Sequence, residues 1–193
     1  DSQNFSAGRL NAVGRTSGVN YVTAIFRTAF DTYGGNRTAV SFRQDESQAT
    51  EYQVAKYFPN GELGPQYVSD PTKAGNDWIV LRYADVLLMA AEANNRGGID
   101  ETKALGYLND VRKRAFGDDL HDITATGASL TNAIYLERRL ELVGEGHRFF
   151  DLVRTGKAAQ EISGFQAGKH ELFPIPAIEI QLAGNVWAQN PGY

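Results

Sequence analysis

The chain contains no cysteine. That excludes disulfides, thiolate nucleophiles and cysteine metal sites, and it leaves the compartment open. Histidine occurs three times. His147 lies among acids but lacks the HExxH spacing that brings two imidazoles onto one ion, and His121 and His170 fall in distant loop-like segments. No metal centre and no cofactor is expected. Positive charge is in deficit, with 19 Lys and Arg against 23 Asp and Glu and a net charge of -4. A nucleic-acid partner is not expected from such a balance. The basic residues are scattered apart from Arg112-Lys113-Arg114, which ends a helical pattern where cations complement the helix dipole. No apolar run is long enough to span a bilayer. The opening DSQNFSAGRL has neither a basic n-region nor an apolar h-region, so no signal peptide is expected there. A processed or truncated chain has the same appearance.

What is present is an ordinary globular balance. The 193 residues are 42% hydrophobic and 22% charged, enough for one sizeable core or two small ones. The pattern changes near residue 77. Before it, NYVTAIFRTAF (20–30), TAVSFR (38–43) and YQVAKYF (52–58) are rich in β-formers and aromatics and read as strands or extended segments. YGGNR (33–37) and FPNGELGP (58–65) carry turn chemistry.

After residue 77 the helical period is strong. RYADVLLMAAEANNR (82–96) is apolar on most faces, the pattern of a buried helix. Gly97-Gly98 stops it, and Asp100 is a suitable N-cap for the next helix. That helix places Ala104, Leu108, Val111 and Ala115 on one stripe. The short connection predicts an antiparallel hairpin in which Ala90, Ala93 and Ala104 permit close approach, the grammar of a tetratricopeptide-like pair. A polar loop (117–127) leads to a third helix starting near Ser129, with Ala133, Leu136, Leu140 and Val143 on one face. Gly144 and Gly146 end or bend it, and a fourth short helix holds Phe149, Phe150, Leu152 and Val153. The tail is expected to run extended from Leu172 to Pro176, then to form a short helix at Ala177–Leu182.

The stretch LERRLELVGEGHRFFDLVRTG (136–156) sets nine ionisable side chains among apolar ones. Glu137, Glu141 and Glu145 share a helical stripe, Arg138 is i+3 from Glu141, and Asp151 lies within one turn of His147, Arg148 and Arg154. A glycosidase pair needs two carboxylates facing a sugar from opposed sides, roughly 5–5.5 Å apart in a retaining enzyme. Two acids on one stripe point the same way. The favoured reading is a buried or half-buried ion network of Glu137, Arg138, Glu141, Arg148, Asp151 and Arg154 that sets how the last helices pack. A hydrolase using Glu137 or Glu141 is the reading it displaces.

WIVLRYADVLLMAAEA (78–93), YLNDVRKRA (107–115), LERRLELVGEGHRFFDLVRTG (136–156), LFPIP (172–176) and QNPGY (189–193) resemble, in this order, the C-terminal half of SusD/RagB-like proteins. Residues 1–77 match more loosely, as the loop- and strand-rich middle region; residues 78–193 match the helical C-terminal region. The resemblance implies a mainly α-helical fold of tetratricopeptide-like hairpins with irregular loops and small β elements. It implies a non-catalytic lipoprotein of the outer membrane in Bacteroidota, exposed at the cell surface. Such a protein binds a glycan, or in some members a peptide, and caps a TonB-dependent transporter. Family members are much longer, and their N-terminal half supplies the signal peptide, the lipid-bearing cysteine and most helix pairs. The present chain is therefore expected to be a C-terminal fragment that needs its missing N-terminal half.

The resemblance places ligand contacts in loops of the N-terminal half and the middle. Sugar recognition uses flat aromatic faces beside polar groups. FRTAFDTYGGNR (26–37) offers Tyr33, Phe30, Asn36 and Arg37 as glycan-binding candidates around Gly34-Gly35, with Phe26 and Asp31 nearby. Tyr33, at the turn itself, is the first choice. The competing reading puts Phe26 and Phe30 in the core and Arg37 at the start of a strand. Trp78 is assigned to the core, and Trp187 to either setting. A helical-repeat scaffold that binds only proteins is the alternative function.

Overall fold

The computed structural model describes residues 22–45, 48–56 and 79–193. Trp78 and the turn 58–65 lie outside the described residues. The described elements are helices α1 (Ala24–Tyr33) and α2 (Arg37–Ser41), strands β1 (Phe42–Asp45) and β2 (Gln48–Val54), then helices α3 (Tyr83–Arg96), α4 (Glu101–Phe116), α5 (Gly127–Glu141), α6 (Arg148–Arg154), α7 (Ala158–Glu161) and α8 (Ala177–Leu182). The architecture is mainly helical, with one small antiparallel hairpin. Contacts group the chain into two units, Asp1–Gly146 and His147–Tyr193.

In the first unit, α3 and α4 form the expected hairpin around the loop 97–100. Asp100 caps α4 by accepting the Lys103 N–H at 2.9 Å, satisfying one of the orphan donors of the first turn. Ala104, Leu108, Val111 and Ala115 are all buried, as their spacing predicts. Leu88 and Ala91 from α3, Ala104, Leu108 and Val111 from α4, and Leu130 and Ile134 from α5 make one apolar cluster. Each fully buried aliphatic side chain there is worth about 1.5–3 kcal/mol.

Two expectations for α3 change. The helix is not buried all round: Tyr83, Val86 and Met89 are exposed, and only the face of Asp85, Leu88, Ala91, Glu92 and Asn95 is covered. Of the small residues of α3, Ala91 is buried in the cluster that holds Ala104, Ala90 is half-buried and Ala93 is exposed. A helix between one partner hairpin and one further helix needs a single apolar stripe, and the additional apolar residues lie outside it.

The N-terminal segment is also corrected. Residues 24–33 are a helix, not a strand, capped by the Thr23 hydroxyl on the Phe26 N–H. Residues 37–41 are helical before the chain extends at Phe42. Phe26 and Phe30, four apart, stand on one side of α1 and pack edge-on against Phe42 of β1. Tertiary packing of that pair overrides the β preference of the individual residues. β1 and β2 pair with Phe42 opposite Val54 and an irregularity between Gln44 and Asp45. Phe30, Phe42, Val54 and Leu140 form a second apolar cluster. Helix α5 thus serves both clusters, Leu130 and Ile134 in one and Leu140 in the other.

The second unit, taken by itself, is loop-rich. Leu152 and Ala158 are its buried hydrophobic residues among those described. The extended stretch 173–176 and helix α8 appear where the prolines predict them. Extended backbone without a strand partner leaves polar groups to satisfy. The last residues supply them. The Gln189 amide accepts from Ile175 N–H at 2.7 Å and donates to Ile175 C=O at 2.8 Å. Asn190 donates to Phe173 C=O at 2.7 Å, and the Tyr193 hydroxyl to Leu172 C=O at 3.1 Å. The QNPGY and LFPIP stretches are thereby tied together.

Candidate functional site

Two places were singled out on the sequence: the acidic stripe of α5 and the turn after α1. The acids of the stripe are interior groups. Glu137, Glu141 and Glu145 are buried, and Glu141 is 2% exposed. Every partner comes from another element. Arg37 on α2 donates to Glu137 and to Glu141, each at 2.7 Å. Arg112 on α4 reaches Glu137 at 3.0 Å. Arg82, just before α3, takes Glu141 at 2.5 Å and both oxygens of Glu145 at 2.8 Å. Arg114 completes the shell of Glu141, and Lys56, after β2, pairs with Glu145.

The charge balance explains the ionisation. Burial pushes the Glu141 carboxyl up, but the charges of Arg82 and Arg114 and hydrogen bonds from Arg82 and Arg37 outweigh it, leaving the group below its ordinary value. Burial likewise works against the Arg82 cation, and its bonds to Glu145 and Glu141 more than reverse that. For Lys56 burial wins, and its ammonium is lowered despite the Glu145 charge. Glu141 is thus favoured in its ionised form by the guanidinium groups around it, and all three acids are paired with cations from within the fold.

The remaining expected members separate. Arg138 does not turn to Glu141; it donates to Asp85 of α3 at 2.7 Å, and both are buried. Arg154 does meet Asp151 at 2.8 Å, on a partly exposed flank. Arg148 reaches Glu161 at 3.2 Å, also at the surface. Lys56, Arg82, Asp85, Arg112 and Arg114 were missed as members. Lys56 and Arg82 stand 85 and 59 positions from Glu141, so helical spacing carried no signal for them.

The turn after α1 is divided. Phe30 is 0% exposed and its ring is 4.6 Å from that of Phe42, so it has no face for a ligand. Arg37 is buried in the ion network and also donates to Gly34 C=O at 2.8 Å. Both candidates are corrected to core positions. Asn36 acts on a neighbouring helix: its backbone N–H bonds Ala115 C=O at 2.9 Å and its side-chain amide bonds Phe116 C=O at 2.6 Å. It caps the last carbonyls of α4, which have no intrahelical partner. Gly35 sits against Phe116 with φ +60, and a Cβ there would lie 2.8 Å from Ala115 O. Tyr33 keeps 48% of its surface in solvent. Close to its turn, Phe116 stacks on the His121 imidazole at 4.1 Å and 7°. His121 was not chosen on the sequence, and only folding brings it beside this turn.

No group of three or more potential metal ligands occurs among the described residues. No described helix is long and apolar enough to cross a membrane.

A tetratricopeptide-like helical hairpin, closed by a third helix and knotted to a small β hairpin by buried ion pairs, defines a class of helical, hairpin-built protein. Residues 9–171 match the SusD family, and the chain belongs to it. It is 31% identical over 155 residues to SusD-like protein P2 of Formosa agariphila, covering 72% of this chain and 30% of that protein. Its fold resembles a solved SusD homolog from Bacteroides thetaiotaomicron, with a TM-score of 0.66 and 28% identity over 86% of this chain and 37% of the other. A SusD superfamily protein from the same organism has a TM-score of 0.71 at 24% identity, covering 95% of this chain and 44% of that one. The chain spans under a third of the length of the curated relatives it matches.

Proposed function

We propose that the chain is the C-terminal part of a non-catalytic glycan-binding protein of the outer-membrane surface. That protein is lipid-anchored through a segment outside these residues and delivers an oligosaccharide to a TonB-dependent transporter. In this reading residues 1–77 belong to the middle region and 78–193 to the C-terminal helical region of the complete protein. Membership of the SusD family carries the proposal. Supporting the non-catalytic part, the carboxylates of Glu137, Glu141 and Glu145 are held by arginine or lysine partners inside the fold. Tyr33 is the ligand-contacting residue retained from the sequence reading, because its ring is exposed at a tight turn.

Tyr33→Ala in the full-length protein is expected to weaken oligosaccharide binding on a glycan array at least several-fold while leaving the melting temperature unchanged. An intact protein that binds no glycan or peptide and never copurifies with a transporter removes the reading. A protein-binding scaffold is the second reading, favoured by the exposed Tyr83, Val86 and Met89 on α3. It predicts partner capture that follows substitutions there and ignores Tyr33.

A further inference from the structure

The chain turns where α5 ends. Leu142 N–H still returns to Arg138 C=O at 2.9 Å, but Glu145 N–H goes to Leu142 C=O at 3.1 Å, three residues back. Gly144 and Gly146, on either side of Glu145, both stand in the left-handed region, with φ +76 and +83. Glycine enters that region without the penalty of a Cβ and leaves it as readily. The backbone of residues 144–146 therefore does not fix its own conformation. The division of the chain into two units falls directly after the second of these glycines.

Side chains fix it instead. The Glu145 side chain is 1% exposed. Arg82 grips both of its oxygens at 2.8 Å, and Lys56 pairs with it. The same two cations reach the backbone. Arg82 donates to the Glu141 C=O at 2.7 Å, and the Lys56 ammonium donates to it as well. Glu141 is the last residue of α5, and the N–H four residues on, that of Glu145, has gone to Leu142. The carbonyl is one of the orphan acceptors of a helix C-terminus, and two cations supply its donors. Glu145 thus anchors one cation from just before α3 and one from just after β2 at the point where both cap α5.

We propose that Glu145 is the pin of a hinge at residues 144–146: while its carboxylate holds Arg82 and Lys56 the two glycines are locked, and its release opens this segment while α3, α4 and the first turns of α5 stay folded. Folds open locally where apolar support is thin. The cluster that joins α3, α4 and α5 reaches no further along α5 than Ile134, so it does not hold the segment. Hinges place their φ and ψ changes in a few residues at the end of an element, and the glycine pair supplies two that move without steric cost.

The test is amide hydrogen exchange of the full-length protein, read by mass spectrometry in Glu145→Gln and Lys56→Met. Peptides spanning residues 140–150 are expected to exchange at least tenfold faster in Glu145→Gln and several-fold faster in Lys56→Met. Peptides of α4 spanning 104–115 are expected to stay within twofold of the unmodified protein in both. Glu141→Gln is the contrast, because Glu141 serves α2, α3 and α4 together; its increase should spread into α4. Unchanged exchange at 140–150 in both variants overturns the proposal. So does an increase of equal size in α4, which would make Glu145 a general stabilising residue and not a pin. Should Glu145→Gln fail to fold, Lys56→Met decides between the same two results.

Discussion

Glu141 is the residue on which most cations converge. One of its oxygens is shared by Arg82 and Arg114, and the other accepts from Arg37. Replacing it with glutamine keeps the shape and removes the charge, leaving buried guanidinium groups uncompensated. Breaking a buried pair in this way costs about 3–5 kcal/mol. We expect Glu141→Gln to lower stability by about that amount in denaturant unfolding, with no change in ligand affinity. Glu161→Gln, at the exposed pair with Arg148, is the contrast: about 0.5 kcal/mol or less. A hydrolase would show the reverse pattern, with turnover lost and stability kept. At this scale the sequence was half legible. Glu137 and Glu141 were legible as interior acids because they lay among leucines, whereas Asp151 stands apart, paired with Arg154 on a partly exposed flank. The partners of Glu137 and Glu141 were not legible, since the bonds that reach them from Arg37 cross 100 and 104 positions.

At the scale of elements, the link between α5 and the β hairpin rests on close approach. Gly144 follows α5 with φ +76, and a Cβ there would stand 2.8 Å from Val54 Cγ1. Gly144→Ala therefore meets left-handed backbone strain of about 1–2 kcal/mol and crowding of about 1–3 kcal/mol. Gly98 has φ +62 with nothing within 4 Å, so Gly98→Ala should show the backbone part alone. Thermal melts of the two variants should differ in that order; equal shifts would mean that Val54 yields freely. Elements with a strong local signal were legible before folding: the stripe of α4, its Asp100 cap, and α8 after Pro176. Helix α1 was not. Its residues favour strands singly, and its helical period acquires meaning only once Phe42 and Leu140 stand opposite Phe26 and Phe30.

At the scale of the whole molecule, the buried Glu141 makes stability depend on pH. The folded-state value of Glu141 is depressed below the ordinary 4.5. Its contribution is complete above that value and is lost as pH falls through the folded value. Lys56 acts in the same direction at the alkaline end: its folded value is lowered from 10.5, so its share of stability rises with pH between the folded value and 10.5. Acid titration of the unfolding free energy should therefore decline below about pH 4.5, and Glu141→Gln should flatten that decline. An unchanged acid slope would separate Glu141 from the network.

The sequence by itself determined the helical class, the α3–α4 hairpin and the family, because these rest on periodicity, caps and motif order, all of which are local. Only the tertiary structure decided which cation meets which acid, and that Phe30 and Arg37 belong to the interior. Those outcomes depend on contacts between residues far apart in the chain, where spacing along the sequence says nothing about distance in space.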